Sequence, residues 1–423
     1  MGNLTGKEVA QMHKDYVMQS WSKSGVDALP VEKAKGIYFW DYDGKKYADM
    51  ASLLVCSNLG HELPEIVEAI KEQADKMCFM APAYASEPKS KLAKMLVEAA
   101  GADHFKRVFF TNGGAESNEN AIKMARMVTG RTKVFSCYRS YHGATLGASN
   151  ASGDWRRFAA EIGGANGFVK FMNPQMYRDG YTYGVDDEVV TKKALADLDL
   201  QLRYEGPQNV AAILMESIVG ANGVILPPKG YMEGVRKLCD EKGILLILDE
   251  IQCGMGRTGS MFAYQQYGVK PDIVTVAKAL GCGVPVGAFA AKDEVAKALV
   301  PGDHGTTYGG NPLACAAAVK GFELFDSLKA LDNVKEVGAY LASELDKIVA
   351  EYDIATERRG MGLIQGLQLS VNPKDVIANA LDNGLILFSA GTNVIRFVPP
   401  LVITKADVDE MIVRLKKSLD SCR

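Results

Sequence analysis

Apolar positions along the chain follow two rhythms. NVAAILME (209–216), ILLILDE (244–250) and DIVTVA (272–277) are apolar almost throughout, without polar alternation. PEIVEAIKEQADKM (64–77) and KSKLAKMLVEAAG (89–101) instead repeat apolar residues every three or four positions, the pattern of an amphipathic helix. Gly101 closes the second of these. KRVFFT and TKVFSC are strand-like, AESNENAIKMARMVTG predicts a helix stopped by Gly130, and YMEGVRKLCDEKG one stopped by Gly243. Continuous apolar strands separated by helices predict a largely parallel sheet covered on both faces. After Asp303 the rhythm changes. Two long helical patterns, PLACAAAVKGFELFDSL and VGAYLASELDKIVAEY, lead into short alternating strands, GLIQGLQLS and VIRFV, which predicts a separate α+β region.

The composition narrows the class. With 423 residues, 48% of them hydrophobic and 23% charged, the chain has room for two or more domains around a large core. A net charge of −3 gives no electrostatic case for nucleic acid or an anionic membrane. The longest apolar runs fall far short of the ~20 residues of a spanning helix. MGNLTGKEVAQMHKDY has no apolar stretch of the secretory kind. Eight scattered cysteines without a C-x-x-C pair read as reduced thiols of a cytoplasmic protein. The five histidines do not cluster, so no histidine-ligated metal is expected.

Three predicted strand ends carry unusual chemistry, and in an open parallel sheet ligands bind at the carboxyl ends of strands. FFTNGGAESNE runs from strand through Gly-rich turn to helix start. Backbone N–H groups of Gly114 and Ala115 would point out of that helix N-terminus, which suits a phosphate. A tight turn capped by Asn112 explains the same residues without a ligand. Asp249 closes ILLIL, where a carboxylate is poorly solvated unless it meets a cation. Lys278 directly follows DIVTVA, and a desolvated lysine is suited to act as a nucleophile or a base. An ion pair between Asp249 and Lys278 is the structural alternative. Gly254, Gly256 and Gly259 spell G-x-G-x-x-G, but a dinucleotide loop carries its acidic residue after the glycines, and Asp249 precedes them. ILLILDE lacks the G-x-x-x-x-G-K-[ST] partner of an ATPase strand. A phosphate cradle, a carboxylate for a pyridinium nitrogen and an amine for an aldehyde are together the needs of pyridoxal 5′-phosphate.

NGGAESNENAIKMAR, SYHGAT, DEIQCGMGRTG, AKALGCGVPVGA and HGTTYGGNPLACAAA follow in that order. On these motifs the chain resembles the class III aminotransferases of the fold-type I pyridoxal-phosphate family, over nearly its whole length. Residues 1–300 look most like the ω-amino-acid:pyruvate and taurine branch, and the chain from His304 more like the acetylornithine branch. The resemblance implies an α/β fold with a mostly parallel seven-stranded sheet in a large domain, plus a smaller α+β domain. It places residues 1–55 with the small domain, 56–303 in the cofactor-binding domain and 304–423 in the small domain. It implies that Lys278 binds the cofactor covalently, that Asp249 meets the ring nitrogen and that Gln252 faces the phenolic oxygen. Gly114 and Ala115 match its phosphate turn, Tyr141 the ring-stacking aromatic with His142 beside it, and Glu216 an acid near the ring. Thr307 matches a threonine that reaches the neighbouring subunit's cofactor, so a homodimer, or a tetramer built from it, is implied. His304 reads as structural.

Arg396 stands between Val394 and Val398 on one face of VIRFV, and such a charge wants a carboxylate. An exposed edge strand would explain it without a substrate, whereas the resemblance makes it the substrate anchor. Two positions depart from the acetylornithine pattern: Ala144 replaces an arginine and Ala221 an acid. Both departures count against glutamate and 2-oxoglutarate as the amino couple and favour pyruvate as acceptor, and the resemblance implies an ω-amino acid or amine as donor in a ping-pong reaction. The alternative is an acetylornithine- or 4-aminobutyrate-type enzyme using 2-oxoglutarate. A pyridoxal-phosphate protein without catalysis, or a nicotinamide oxidoreductase, would be told apart by an absorption band that borohydride abolishes.

Overall fold

The uninterrupted apolar strands pair as their pattern requires, buried on both faces. A computed structural model describes residues 4–22, 27–161, 166–180, 186–300 and 302–422. Seven strands make the central sheet: β1 (Phe105–Thr111), β2 (Lys133–Cys137), β3 (Phe168–Phe171), β4 (Val210–Glu216), β5 (Leu245–Asp249), β6 (Ile273–Val276) and β7 (Gly287–Lys292). Their spatial order is β1-β7-β6-β5-β4-β2-β3. All neighbours are parallel except β7, which runs antiparallel to both β1 and β6. Every residue of β4, β5 and β6 is buried, which is why those segments show no polar alternation.

Register sets the chemistry. Glu216 pairs with Asp249 across β4 and β5, and Asp249 with Thr275 across β5 and β6. Two carboxylates and the approach to Lys278 therefore share one sheet edge, the carboxyl end. The helix Gly114–Thr129 leaves β1 and covers β4, β6 and β7, burying Ser117, Asn118, Ala121, Ile122 and Ala125. Gly130 takes φ +65° and ends it, as the sequence predicts.

Two four-stranded sheets complete the fold. One is the antiparallel set Ala355–Met361, Ile364–Leu369, Val394–Phe397 and Phe388–Ala390, which carries Arg396 on an inner strand. The other joins Val31–Lys35, Tyr38–Asp41 and Lys46–Asp49 to Leu385–Ile386, so the start of the chain is closed by a strand from near its end. A short turn, Ser52–Val55, follows Lys46–Asp49 and packs against the 3₁₀ turn Lys278–Gly281. Among the described residues no helix is long and apolar enough to cross a membrane, and all eight cysteines are free.

Candidate active site

At the carboxyl edge Asp249 is 3% exposed and surrounded by donors. Asn118 donates Nδ2–H to its Oδ2 at 2.8 Å, His142 donates Nδ1–H to the same oxygen at 2.8 Å, and the Ile251 amide donates to Oδ1 at 3.0 Å. A carboxylate accepts only, so this contact fixes the proton of His142 on Nδ1. His142 Nε2 is buried and, among the described residues, has no partner. Asn118 is itself held by Thr275, whose hydroxyl donates to Asn118 Oδ1 at 2.8 Å.

Lys278 stands one residue beyond Ala277, which follows β6, and takes φ +46°. It is only partly exposed. Burial lowers its pKa, opposed by the nearby negative charge of Asp249. Among the described residues it forms no ion pair, so the structural alternative of an Asp249–Lys278 bridge is not realised.

Gly113, not Asn112, occupies the N-cap of the Gly114–Thr129 helix, and Asn112 instead donates its amide and Nδ2 to Glu116. The first N–H groups of the helix, those of Gly114 and Ala115 among them, have no intrahelical acceptor. A Cβ on Gly113 would meet nothing within 4 Å, so the turn is open at that residue.

Glu216 is 5% exposed and accepts from the amides of Tyr141 (3.0 Å) and Gly220 (2.9 Å). Burial pushes its pKa up to about 7, with Asp249 adding to the rise and His142 opposing it. Arg396 is 5% exposed and donates Nη1–H to Gln252 Oε1 at 2.6 Å, while its Nε has no partner among the described residues. Burial lowers its pKa to about 10 and Glu216 counters that fall. Gln252 thus spends its oxygen on Arg396 and keeps its amide N–H groups to offer.

Tyr141 is roofed by a group that sequence reasoning missed. The Arg156 guanidinium lies 4.1 Å from its ring centroid, and Trp21 meets the same ring edge-on at 5.4 Å. Asp154 binds Arg156 through Nε at 2.8 Å and through Nη2. The positive charge of Arg156 is felt by Arg396. No motif marks SGDWRRF in the sequence, so Arg156 left no signal. Asn118 did leave one: it is a polar residue within the buried stripe of a helix.

The aminotransferase class-III family model matches residues 21–419. The chain is a class III aminotransferase. Among curated members of that family, it is 40% identical to the acetylornithine aminotransferase of Methanocaldococcus jannaschii, over 95% of each chain. Among solved members, the taurine:2-oxoglutarate aminotransferase of Bifidobacterium kashiwanohense, determined with pyridoxal phosphate and glutamate, is 56% identical. It superposes with a TM-score of 0.96 over 100% of this chain and 99% of that one. An (S)-enantioselective ω-transaminase of Thermomicrobium roseum is 31% identical, with a TM-score of 0.92 over 99% of each chain. Both branches anticipated from the motifs are therefore present among the relatives. Within this aminotransferase, Asp249 meets His142, Glu216 accepts from the Tyr141 amide, Gln252 accepts from Arg396, and Lys278 lies within electrostatic reach of Asp249, Glu216 and Arg396. Thr307 stands apart, exposed to solvent, and Ala144 is exposed too. His304 packs edge-on to Phe109 at 5.2 Å, as a structural residue would.

Proposed function

We propose that this enzyme moves the amino group of a small ω-amino acid, an ω-aminosulfonate or ω-aminocarboxylate, to 2-oxoglutarate. It is a pyridoxal-phosphate enzyme. The residues fit that cofactor: a ready helix N-terminus for phosphate, a carboxylate ringed by donors for the ring nitrogen, and an accessible, desolvated amine. The phosphate would rest on Gly114 and Ala115, the ring between Tyr141 and His142 on one side and Lys278 on the other, with Gln252 toward the phenolic oxygen.

When bound, the cofactor supplies an aldehyde that captures amines and a ring that accepts electrons. Lys278 would hold it, and its amine, with a pKa lowered by burial, is placed to serve as the base that takes the proton from the donor's carbon. Asp249, already oriented by Asn118 and His142, would pair with the ring nitrogen and favour its protonated form, with no rearrangement needed as charge develops. Arg396 grips the substrate carboxylate through the N–H groups that Gln252 does not use. We assign Thr307 to the cofactor phosphate of a partner subunit, which makes the working unit a dimer. The division at residues 55 and 303 belongs to the same reading, and the pairing of Leu385–Ile386 with Lys46–Asp49 supports joining the first segment to the small domain.

One observation carries the choice of acceptor. Arg156, paired with Asp154, places a second guanidinium on the Tyr141 ring and within electrostatic reach of Arg396, which favours a two-carboxylate keto acid. The Bifidobacterium relative also uses 2-oxoglutarate by name. Pyruvate, expected from Ala144 and Ala221, is the second reading, because neither position contributes a charge. Steady-state rates for taurine, β-alanine, 4-aminobutyrate and N-acetylornithine against both acceptors decide between them. A kcat/KM for 2-oxoglutarate at least tenfold above that for pyruvate is expected, and the reverse order restores pyruvate.

A further inference from the structure

The glycine-rich loop after Asp249 serves Arg257. A Cβ on Gly256 would stand 2.5 Å from the Phe325 ring, one on Gly259 2.8 Å from Lys335 Cγ, and both glycines take φ +86°. The loop thus threads a gap that no side chain could share, and it carries Arg257 to complete burial. There Nη1 donates to the carbonyls of Leu363 (3.0 Å) and Pro399. Nη2 donates to Asn58 Oδ1 and to Ser52 Oγ at 3.4 Å. Among the described residues no carboxylate pairs with it.

Its partners belong to two walls of the substrate side. Ser52 opens the turn Ser52–Val55, in which φ is 43°, 38°, 67° and 68°, four consecutive non-glycine residues in the left-handed region. L-residues avoid that conformation and keep it only where surroundings impose it. The turn packs on Lys278–Gly281, and Cys56 just beyond it lies within electrostatic reach of Lys278. Pro399 lies on the other wall, three residues after Arg396. The walls are cross-tied: Ser52 Oγ donates to the Val398 carbonyl at 2.7 Å, and the Val398 amide donates to Met50 at 2.9 Å.

We infer that Arg257 is a positioning residue for the substrate: it clamps the left-handed turn to the end of the Arg396 strand and so fixes the span between Arg396 and Lys278. An apolar side chain would fill the volume without desolvating a charge. Only a planar guanidinium can reach two carbonyls and two side-chain oxygens at once. The inference rests on Arg396 as the substrate anchor.

The test compares Arg257→Met, Arg257→Lys, Ser52→Ala and Arg396→Ala as holoenzymes. Arg257→Met should raise KM for the keto acid at least tenfold, hold kcat within about threefold, and leave cofactor affinity and its visible band unchanged. Arg257→Lys should recover part of the KM, and Ser52→Ala, which removes one arm of the clamp, should raise KM about threefold. A lowered Tm with unchanged KM in Arg257→Met and Arg257→Lys would overturn the inference. If Arg257→Met does not accumulate folded, an unchanged KM in Ser52→Ala overturns it instead. A raised KM in Arg396→Ala with unchanged KM in the other three would sink this inference alone. An unchanged KM in Arg396→Ala would sink both it and the anchor role.

Discussion

His142 and Asp249 meet at 2.8 Å, Nδ1 to Oδ2, at the one oxygen that Asn118 also binds. That shared oxygen ties the carboxylate at the end of β5 to the helix after β1 and to the loop after β2. Preorganised groups of this kind are worth about 3 kcal/mol in a transition state. Asp249→Ala should therefore lose at least a hundredfold in kcat. His142→Phe, which keeps a ring but drops the Nδ1–H, should lose about tenfold. Full kcat in Asp249→Ala would make the carboxylate structural.

Lys278→Ala removes the nucleophile and the base in one change. The variant should still take up pyridoxal phosphate without a covalent bond, and borohydride should fix no cofactor to it. Turnover should fall by several orders of magnitude. Single-turnover assays with a saturating amine would show this directly, and near-wild-type rates would refute the assignment.

Arg396 and Arg156 should separate the acceptors. Arg396→Ala removes the grip on a carboxylate that both keto acids carry, so KM should rise for both. Arg156→Ala should harm 2-oxoglutarate and spare pyruvate. Loss of one charge-assisted hydrogen bond costs about 1.5–3 kcal/mol, roughly ten- to a hundredfold in kcat/KM. Equal losses for both acceptors in Arg156→Ala would take Arg156 out of the substrate site.

Glu216 sets a pH dependence. Its pKa is pushed up to about 7, so it is neutral in mild acid and charged above. As pH rises through that value the site gains a negative charge near Arg396, and a substrate carboxylate binds less well. KM for the keto acid should climb several-fold between about pH 6 and 8. Glu216→Gln should flatten the climb, at the cost of one backbone contact. The stability sign agrees: a raised carboxyl pKa contributes stability at low pH that is lost as pH rises through about 7. A KM that falls with pH would exclude Glu216 as the titrating group.

What the sequence revealed follows from where the physics is local. β4, β5 and β6 were legible because burial on both faces makes them apolar runs, and Asp249 and Lys278 stood out as charges where those runs end. Gly130 and Gly243 announced their helix ends, and both take φ above +60°. β3 left little trace: it is four residues, one of them Lys170, and three are only partly buried. The sheet at the start of the chain was not read either, since its closing strand has two residues and a partner far away in sequence. Arg156 was invisible for a related reason, because it acts through a ring contact that no spacing records.

That closing strand also has a meaning for synthesis. Ile386 pairs with Asp49, residues 337 positions apart by subtraction. At roughly 5–20 residues per second, the ribosome needs roughly 20–70 s to deliver the second after the first. Throughout that interval the edge of Lys46–Asp49 has no neighbour, with buried residues Tyr47 and Ala48 still uncovered. The nascent chain is therefore most open to wrong pairings at its beginning, where a holding chaperone would be of greatest use.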